Sequence, residues 1–354
     1  MKTPQNLYPH ITSFVNLLLA SRKAQRGKRY RHDVLAFNSN LENELFRLQK
    51  ELESFQYSPQ PYRKFQIFEP KRRVISAAAY RDRVVHHALC AVIVPPLERA
   101  FLPTSYANRQ GFGSHRALRH FVSCTSRYRW VFQADLRLYF PSIDHQLLME
   151  QLKHTIHCPA TIWLLQKILE NGAEVAPALD AFAGDDLLTP LQRPRGLPIG
   201  NLTSQFLANF HLNDFDHHIA SLGGIREYLR YVDDFALFAD HPAPLERARL
   251  VVARELRRLR LRLHPIKSQI RRTSDGVSFV GFHVVPGRVR VRNHTLRRGR
   301  SRLRQMERAV ERGDLGAEEA RQRLESWNAH LAHGHTWRLR RQSFAPIPFA
   351  SGLP

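Results

Sequence analysis

Hydrophobic and polar positions repeat along this chain with two periods, and each period names an element. In NSNLENELFRLQKELESF, Leu41, Leu45, Leu48 and Leu52 recur at helical spacing, which predicts an amphipathic helix. Residues 1–31 read as another amphipathic helix followed by a basic segment. YRKFQIFEPKRRVIS reads as two short strands turning at Pro70–Lys71. YRDRVVHHALCAVIVPPLERAF is helical until Pro95–Pro96, where the missing N–H groups stop it. FVSCTSRYR reads as a polar connection. RWVFQADLRLYF is a strand entered by Trp130, Val131 and Phe132, with Asp135 near its end.

The second half continues the pattern. Residues 172–196 are rich in Gly, Pro, Ala and Asp and read as a loop. NLTSQFLANFHLNDFDHHI predicts one helix, with Leu202, Phe206 and Phe210 on a face and Asn201 as its cap. YLRYVDDFALFA has the shape of a hairpin, LERARLVVARELRRLRLRL of an amphipathic helix, and GVSFVGFHVVPGRVRV of short strands. From Arg288 the chain becomes a small arginine-coated helical region. Leu296, Leu303, Met306 and Val310 share one face there, and a second helix carries Leu324, Trp327 and Leu331.

Composition narrows the function. The 354 residues hold 54 Lys+Arg against 31 Asp+Glu, a net charge of +23, with 43% hydrophobic residues. That is a folded body with a basic surface, which predicts a polyanionic partner, most often nucleic acid. The three cysteines, Cys90, Cys124 and Cys158, lack CxxC spacing and fit a reducing cytoplasm rather than a disulfide framework. No apolar run is long enough to span a bilayer, so no membrane partner is expected.

Against this charge, the adjacent acids Asp233 and Asp234 sit between two apolar runs. Asp is common in turns, so alone the pair is a weak signal. Asp135 supplies a third acid at the end of an apolar strand, where a charge is normally avoided. Three converging carboxylates require a divalent cation. Magnesium takes oxygen ligands and leaves positions for phosphates, and two such ions suit nucleotidyl transfer.

These motifs occur in an order that resembles the reverse transcriptases. YVDD at 231–234 is similar to their Y-x-D-D signature, and ADLRLYFPSIDH to their first aspartate motif. GLPIGNLTSQ is similar to their substrate-pocket segment and FEPKRRVISAAAYRDRVVHHAL to their triphosphate-gripping motif. LRLHPIKSQI and GVSFVGFHV resemble the two later palm motifs. Most members carry Gln-Gly and Ser-Pro in the pocket segment. Here Ile199-Gly200 and Ser204-Gln205 stand instead, which resembles the enzymes of diversity-generating retroelements, as does the ending SWNAHLAHGHTWRLRR.

The resemblance implies an α+β right-hand polymerase fold. Its parts are an N-terminal segment with fingers (1–128), a palm of antiparallel sheet plus helices with interleaved fingers elements (129–286), and a helical thumb with tail (287–354). It implies two Mg²⁺ ions held by Asp135, Asp233, Asp234 and the carbonyl of Leu136. Lys71 and Arg73 would clamp the incoming deoxynucleoside triphosphate, with Arg72 an equally basic neighbour. Phe140 would exclude a 2′-OH, although a core-packing role is open to it, and Lys267 would protonate pyrophosphate unless it is simply solvated. Ile199 and Gly200 would line the nucleotide pocket, and Arg297, Arg298, Arg300 and Arg304 would track the nucleic-acid backbone.

The implied activity is error-prone copying of a template-repeat RNA into cDNA, mutagenised at adenines. The implied partner is a small basic accessory variability protein, as an oligomer, in a bacterial or phage-encoded cytoplasmic system. Another bacterial reverse transcriptase, of group II intron or phage-defence type, is the alternative enzyme. The short run after the last helix argues against an intron enzyme with nuclease and maturation domains. A catalytically silent RNA-binding scaffold is the alternative outside enzymes. His330, His333 and His335 carry no neighbouring carboxylate or cysteine in sequence to complete a metal site.

Overall fold

The computed structural model describes residues 6–68, 72–173, 180–345 and 347. The chain mixes helices with three small sheets. It divides into two compact units. The first holds residues 1–108, 135–219 and 250–265, and the second 109–134, 220–249 and 266–354.

The first unit is built mainly of helices. Leu45, Leu48 and Leu52 of the helix Leu41–Glu53 are at most 1% exposed, as their spacing predicts. Glu42 and Glu44 lie in its first turn and Lys50 in its last, each favourable to the helix dipole. The helix Tyr80–Glu98 packs against Phe14–Ala24. It runs through Pro95 and Pro96 instead of stopping before them. The carbonyl that Pro95 leaves without its N–H partner belongs to Ala91, which is exposed to water. Leu97, 4% exposed, holds the final turn against the core.

Two strands, β1 (Arg63–Ile67) and β2 (Arg73–Ala77), form the expected antiparallel hairpin. Its turn, with Lys71, lies outside the described residues. The stretch read as one helix after Gly200 is two, Leu202–His211 and Asn213–Ala220. Leu212 leaves helical geometry (φ −97°, ψ 4°), and Asp214 and Asp216 suit the positive start of the second helix. Leu202 is 38% exposed, so only Phe206 and Phe210 of the predicted face are buried. The loop at 180–196 contains one helical turn, Thr189–Gln192.

The second unit contains β3 (Trp130–Asp135, whose final residue falls at the unit boundary), β4 (Glu227–Tyr231), β5 (Asp234–Ala239) and β6 (Gln269–Arg272). They lie in the order β4-β5-β3-β6. A three-stranded antiparallel sheet follows: β7 (Val277–Phe279), β8 (Phe282–Val285) and β9 (Arg288–Val291). FVSCTSR is not a connection but the end of the helix Ser114–Arg127. Its Ala117, Leu118, Phe121, Cys124 and Thr125 make a buried stripe that outweighs the weak helix propensity of the Phe, Cys and Thr. Phe121 stacks on Phe279 at 4.5 Å and meets Phe238 edge-on at 5.3 Å.

The chain then forms the helices Asn293–Glu311, Ala317–Leu331 and Trp337–Phe344. Leu303, Leu324 and Leu331 are buried. No described helix is long and apolar enough to cross a membrane.

Candidate active site

The acids of YVDD sit on a two-residue turn. Tyr231 pairs with Asp234 in the β4–β5 register, which leaves Val232 and Asp233 as the loop. Val232 has φ +60°. A positive φ at the first loop residue suits a tight hairpin, where glycine is the usual occupant. A β-branched residue held there costs about 1–3 kcal/mol. Arg230 helps hold it: the side chain is 1% exposed, and Nη1 donates to the Val232 carbonyl at 2.9 Å. Residues 235–239 of β5 are fully buried, so the acids emerge at the polar start of an apolar strand.

β3, which ends on Asp135, neighbours β5 in the sheet. Asp135, Asp233 and Asp234 are all half-buried. Beyond Asp135 the backbone is fixed by an antiparallel bridge between Leu136 and Leu263. The His264 N–H donates to the Asp135 carbonyl at 2.7 Å, and the Arg137 N–H to the Arg262 carbonyl at 2.9 Å. In such a bridge the N–H and carbonyl of Leu136 itself point away from the partner segment. The carboxylates of Asp135, Asp233 and Asp234 and the carbonyl of Leu136 are all oxygen donors, the chemistry that suits Mg²⁺.

Four predicted substrate residues gather in the first unit through backbone contacts. The Ser76 N–H donates to the Ile199 carbonyl at 3.0 Å. Asn201 donates from Nδ2 to the Ser76 carbonyl at 2.8 Å, and its Oδ1 accepts from the Ala78 N–H at 3.3 Å. Asn201 stands at the helix N-cap position but forms no side-chain cap bond there; its side chain clasps β2 instead. The same strand begins at Arg73, which is exposed. Gly200 has φ +114°, and a Cβ there would meet Ile75 Cγ2 at 2.9 Å. Phe140 joins through its backbone: its carbonyl accepts from the Leu197 N–H at 2.8 Å. Tyr139 is 2% exposed while Phe140 is half-buried, so Tyr139 takes the core position.

A buried ionic network fixes the loop before this segment. Asp144 is fully buried and accepts from the Leu147 N–H at 3.1 Å as a helix cap. Arg193 and Arg260 pair with it at 3.2 and 2.6 Å, and Arg193 also pairs with Asp185. His145 Nε2 donates to the Gly196 carbonyl at 2.7 Å, which fixes its tautomer. Burial holds His145 below its usual pKa, in its neutral form. Charges this far apart along the chain give no periodic signal in the sequence, so the network is invisible there.

The remaining candidates lie in the second unit. Lys267 is exposed in a turn before β6. Arg297, Arg300 and Arg304 line one groove of the helix Asn293–Glu311, with Leu303 and Ile347. Arg298 is turned to a different cleft of about 830 Å³, lined also by Met306 and Trp327. His330 and His333 meet His115: rings of His115 and His333 stack at 3.6 Å, and His115 Nε2 lies 3.5 Å from His330 Nδ1. His335 is separate, and its Nδ1 accepts from the Val289 N–H at 3.0 Å.

Comparison with known proteins adds the family. Residues 62–284 match the model described as reverse transcriptase (RNA-dependent DNA polymerase). Protein YkfC of Escherichia coli (strain K12) is 30% identical over 290 residues, covering 70% of this chain and 72% of that protein. The group II intron-encoded protein LtrA of Lactococcus lactis subsp. cremoris is 23% identical over 184 residues, or 51% of this chain and 29% of LtrA. A putative COX1/OXI3 intron 1 protein of Saccharomyces cerevisiae (strain ATCC 204508 / S288c) is 23% identical, over 62% of this chain and 25% of its own length. The chain thus spans under a third of those two intron proteins. A solved structure, a partial Cas6-RT-Cas1--Cas2 complex, gives a TM-score of 0.41 at 20% identity, covering 71% of this chain and 42% of that one.

Proposed function

Because the chain belongs to the reverse transcriptase family of RNA-dependent DNA polymerases, we propose that it extends a DNA primer on an RNA template with a right-hand arrangement of fingers, palm and thumb. The observation that carries this reading is the hairpin of Tyr231, Val232, Asp233 and Asp234, a strained two-residue turn braced by the buried Arg230. A solvated surface turn has no use for either device.

Asp135, Asp233 and Asp234, with the Leu136 carbonyl, would hold two Mg²⁺ ions. Bound there, the metal supplies activation of the primer 3′-OH and charge neutralisation at the leaving pyrophosphate. Arg73, with Lys71, pairs the triphosphate of the incoming nucleotide. Phe140 sits under the sugar and excludes a 2′-OH. Lys267 gives a proton to the departing pyrophosphate. Arg297, Arg300 and Arg304 follow the template–primer backbone from one helix face, and Arg298 from another, without reading sequence.

The finer reading is the reverse transcriptase of a diversity-generating retroelement, making adenine-mutagenised cDNA with a small basic accessory protein oligomer. Ile199 supports it. A glutamine there would hydrogen-bond near the nucleotide sugar, and an isoleucine cannot. Losing such a contact weakens discrimination by about 1–3 kcal/mol. The likeness to LtrA favours a second reading, a group II intron-type enzyme with ordinary fidelity.

Primer extension on an RNA template tests the general reading. Incorporation by the parent chain, lost in Asp233→Ala and Asp234→Ala, is expected; an inactive parent, with any accessory protein supplied, would favour an RNA-binding scaffold. Sequencing the cDNA separates the two finer readings. Errors concentrated at template adenines, and fewer in Ile199→Gln, are expected. Uniform low error would support the intron-type reading.

A further inference from the structure

Away from the three acids, one group of side chains has the composition of a transition-metal site. His120 and Cys124 stand four residues apart on the helix Ser114–Arg127, so they share a face. Glu227, the first residue of β4, lies opposite. One donor atom from each of the three falls within 4.8 Å of the others, and His120 Nε2 is 3.6 Å from a Glu227 oxygen. This is the one such group of three among the described residues. We propose that His120, Cys124 and Glu227 bind a single Zn²⁺ ion, which ties the helix to the strand that leads into the Asp233–Asp234 turn.

The donor chemistry selects the metal. A thiolate, an imidazole and a carboxylate are the protein ligands zinc uses, whereas Mg²⁺ and Ca²⁺ take oxygen. The charges also balance, since Zn²⁺, a thiolate, a carboxylate and a neutral imidazole sum to zero. That matters because the surroundings are apolar. Cys124 is 2% exposed, Glu227 pairs in register with Phe238, and Phe238 packs against Phe121 and Tyr128. Burial pushes the Cys124 thiol up to about 12, with the negative charge of Glu227 adding to it, so without a cation the thiol stays neutral. A bound dication reverses that balance and releases the proton to solvent. The His120 and Glu227 side chains are 23% and 30% exposed, which leaves a path for the ion and a fourth position for water.

A simple His120–Glu227 ion pair is the competing account, and it gives the thiol nothing to do. The two differ in spectroscopy. The full-length, untagged protein is stripped with a chelator and titrated with Co²⁺, then with Zn²⁺ as competitor. One equivalent of Co²⁺ should bind with a thiolate-to-cobalt charge-transfer band, and Zn²⁺ should displace it. The band should persist when Cys90 and Cys158 are both changed to Ser, and vanish in Cys124→Ser. Glu227→Gln and His120→Ala, at part-exposed positions that tolerate change, should each weaken Co²⁺ binding more than about tenfold, since even partners behind a metal's ligands are worth about 10–100-fold. No thiolate band at a several-fold excess of Co²⁺ overturns the proposal. So does a band that survives in Cys124→Ser, or affinity unchanged in both Glu227→Gln and His120→Ala. Should Cys124→Ser fail to fold, the latter two variants decide.

Discussion

Arg230 reaches forward two residues and donates to the Val232 carbonyl at 2.9 Å from a side chain only 1% exposed. A buried guanidinium thus braces the one residue of the YVDD turn whose φ is positive. Hydrogen bonds to charged groups are worth about 1.5–3 kcal/mol. Arg230→Met should lower stability by about that amount in urea unfolding. It should also reduce primer extension more than tenfold while template binding is kept. Equal losses in binding and turnover would mean that Arg230 supports the fold at large and not the turn.

Gly200 makes a second prediction. Its φ of +114° and the 2.9 Å approach to Ile75 Cγ2 each oppose a side chain. Gly200→Ala should raise the KM for deoxynucleoside triphosphates several-fold. Ile75→Ala in the same protein relieves the clash but not the backbone strain, so rescue should be partial. Full rescue would show that φ costs nothing there.

Gly299 lies inside a helix, where Ala normally stabilises by about 1 kcal/mol. Here a Cβ would collide with the indole of Trp327, which in turn packs on Phe344 at 5.4 Å. Gly299→Ala should therefore destabilise, and the tryptophan fluorescence should shift as Trp327 moves. A stabilised Gly299→Ala protein would contradict this packing.

Acid should weaken the fold through its buried histidines. Burial pulls His86 down to about 3 and His211 down to about 4 from an ordinary 6.5. Between pH 6.5 and about 4 the unfolded chain binds more protons than the folded one, so stability falls as pH falls. Each histidine contributes up to about 1.4 kcal/mol per pH unit in that window. In His211→Gln the slope of unfolding free energy against pH should drop by about one proton. An unchanged slope would remove His211 from the account.

Much of the fold was legible because it rests on local period. The β1–β2 and β4–β5 hairpins and the helix Leu41–Glu53 fall where alternation or leucine spacing places them. The misses share a cause. Pro95 and Pro96 do not end their helix because Leu97 packs and Ala91 faces water. FVSCTSR is helical because Phe121 and Cys124 have a sheet to pack on. Packing partners distant in sequence decide both. The acids were visible as an exception to apolar patterning, but Arg230 was hidden by the same logic, since arginine draws no notice in a chain with 54 basic residues.

The Asn201 clasp has a consequence for engineering. Ser76, Ala78, Ile199 and Asn201 are joined by three hydrogen bonds that link the end of the β1–β2 hairpin to the Pro-Ile-Gly-Asn segment. Those two stretches lie more than a hundred residues apart, and the hairpin side contributes only backbone atoms, so the demand on sequence falls on Asn201. A chimera that imports a segment without asparagine at position 201 would take this partner from the Ser76 carbonyl and the Ala78 N–H. The residue to carry across is Asn201, whatever side chains the hairpin bears.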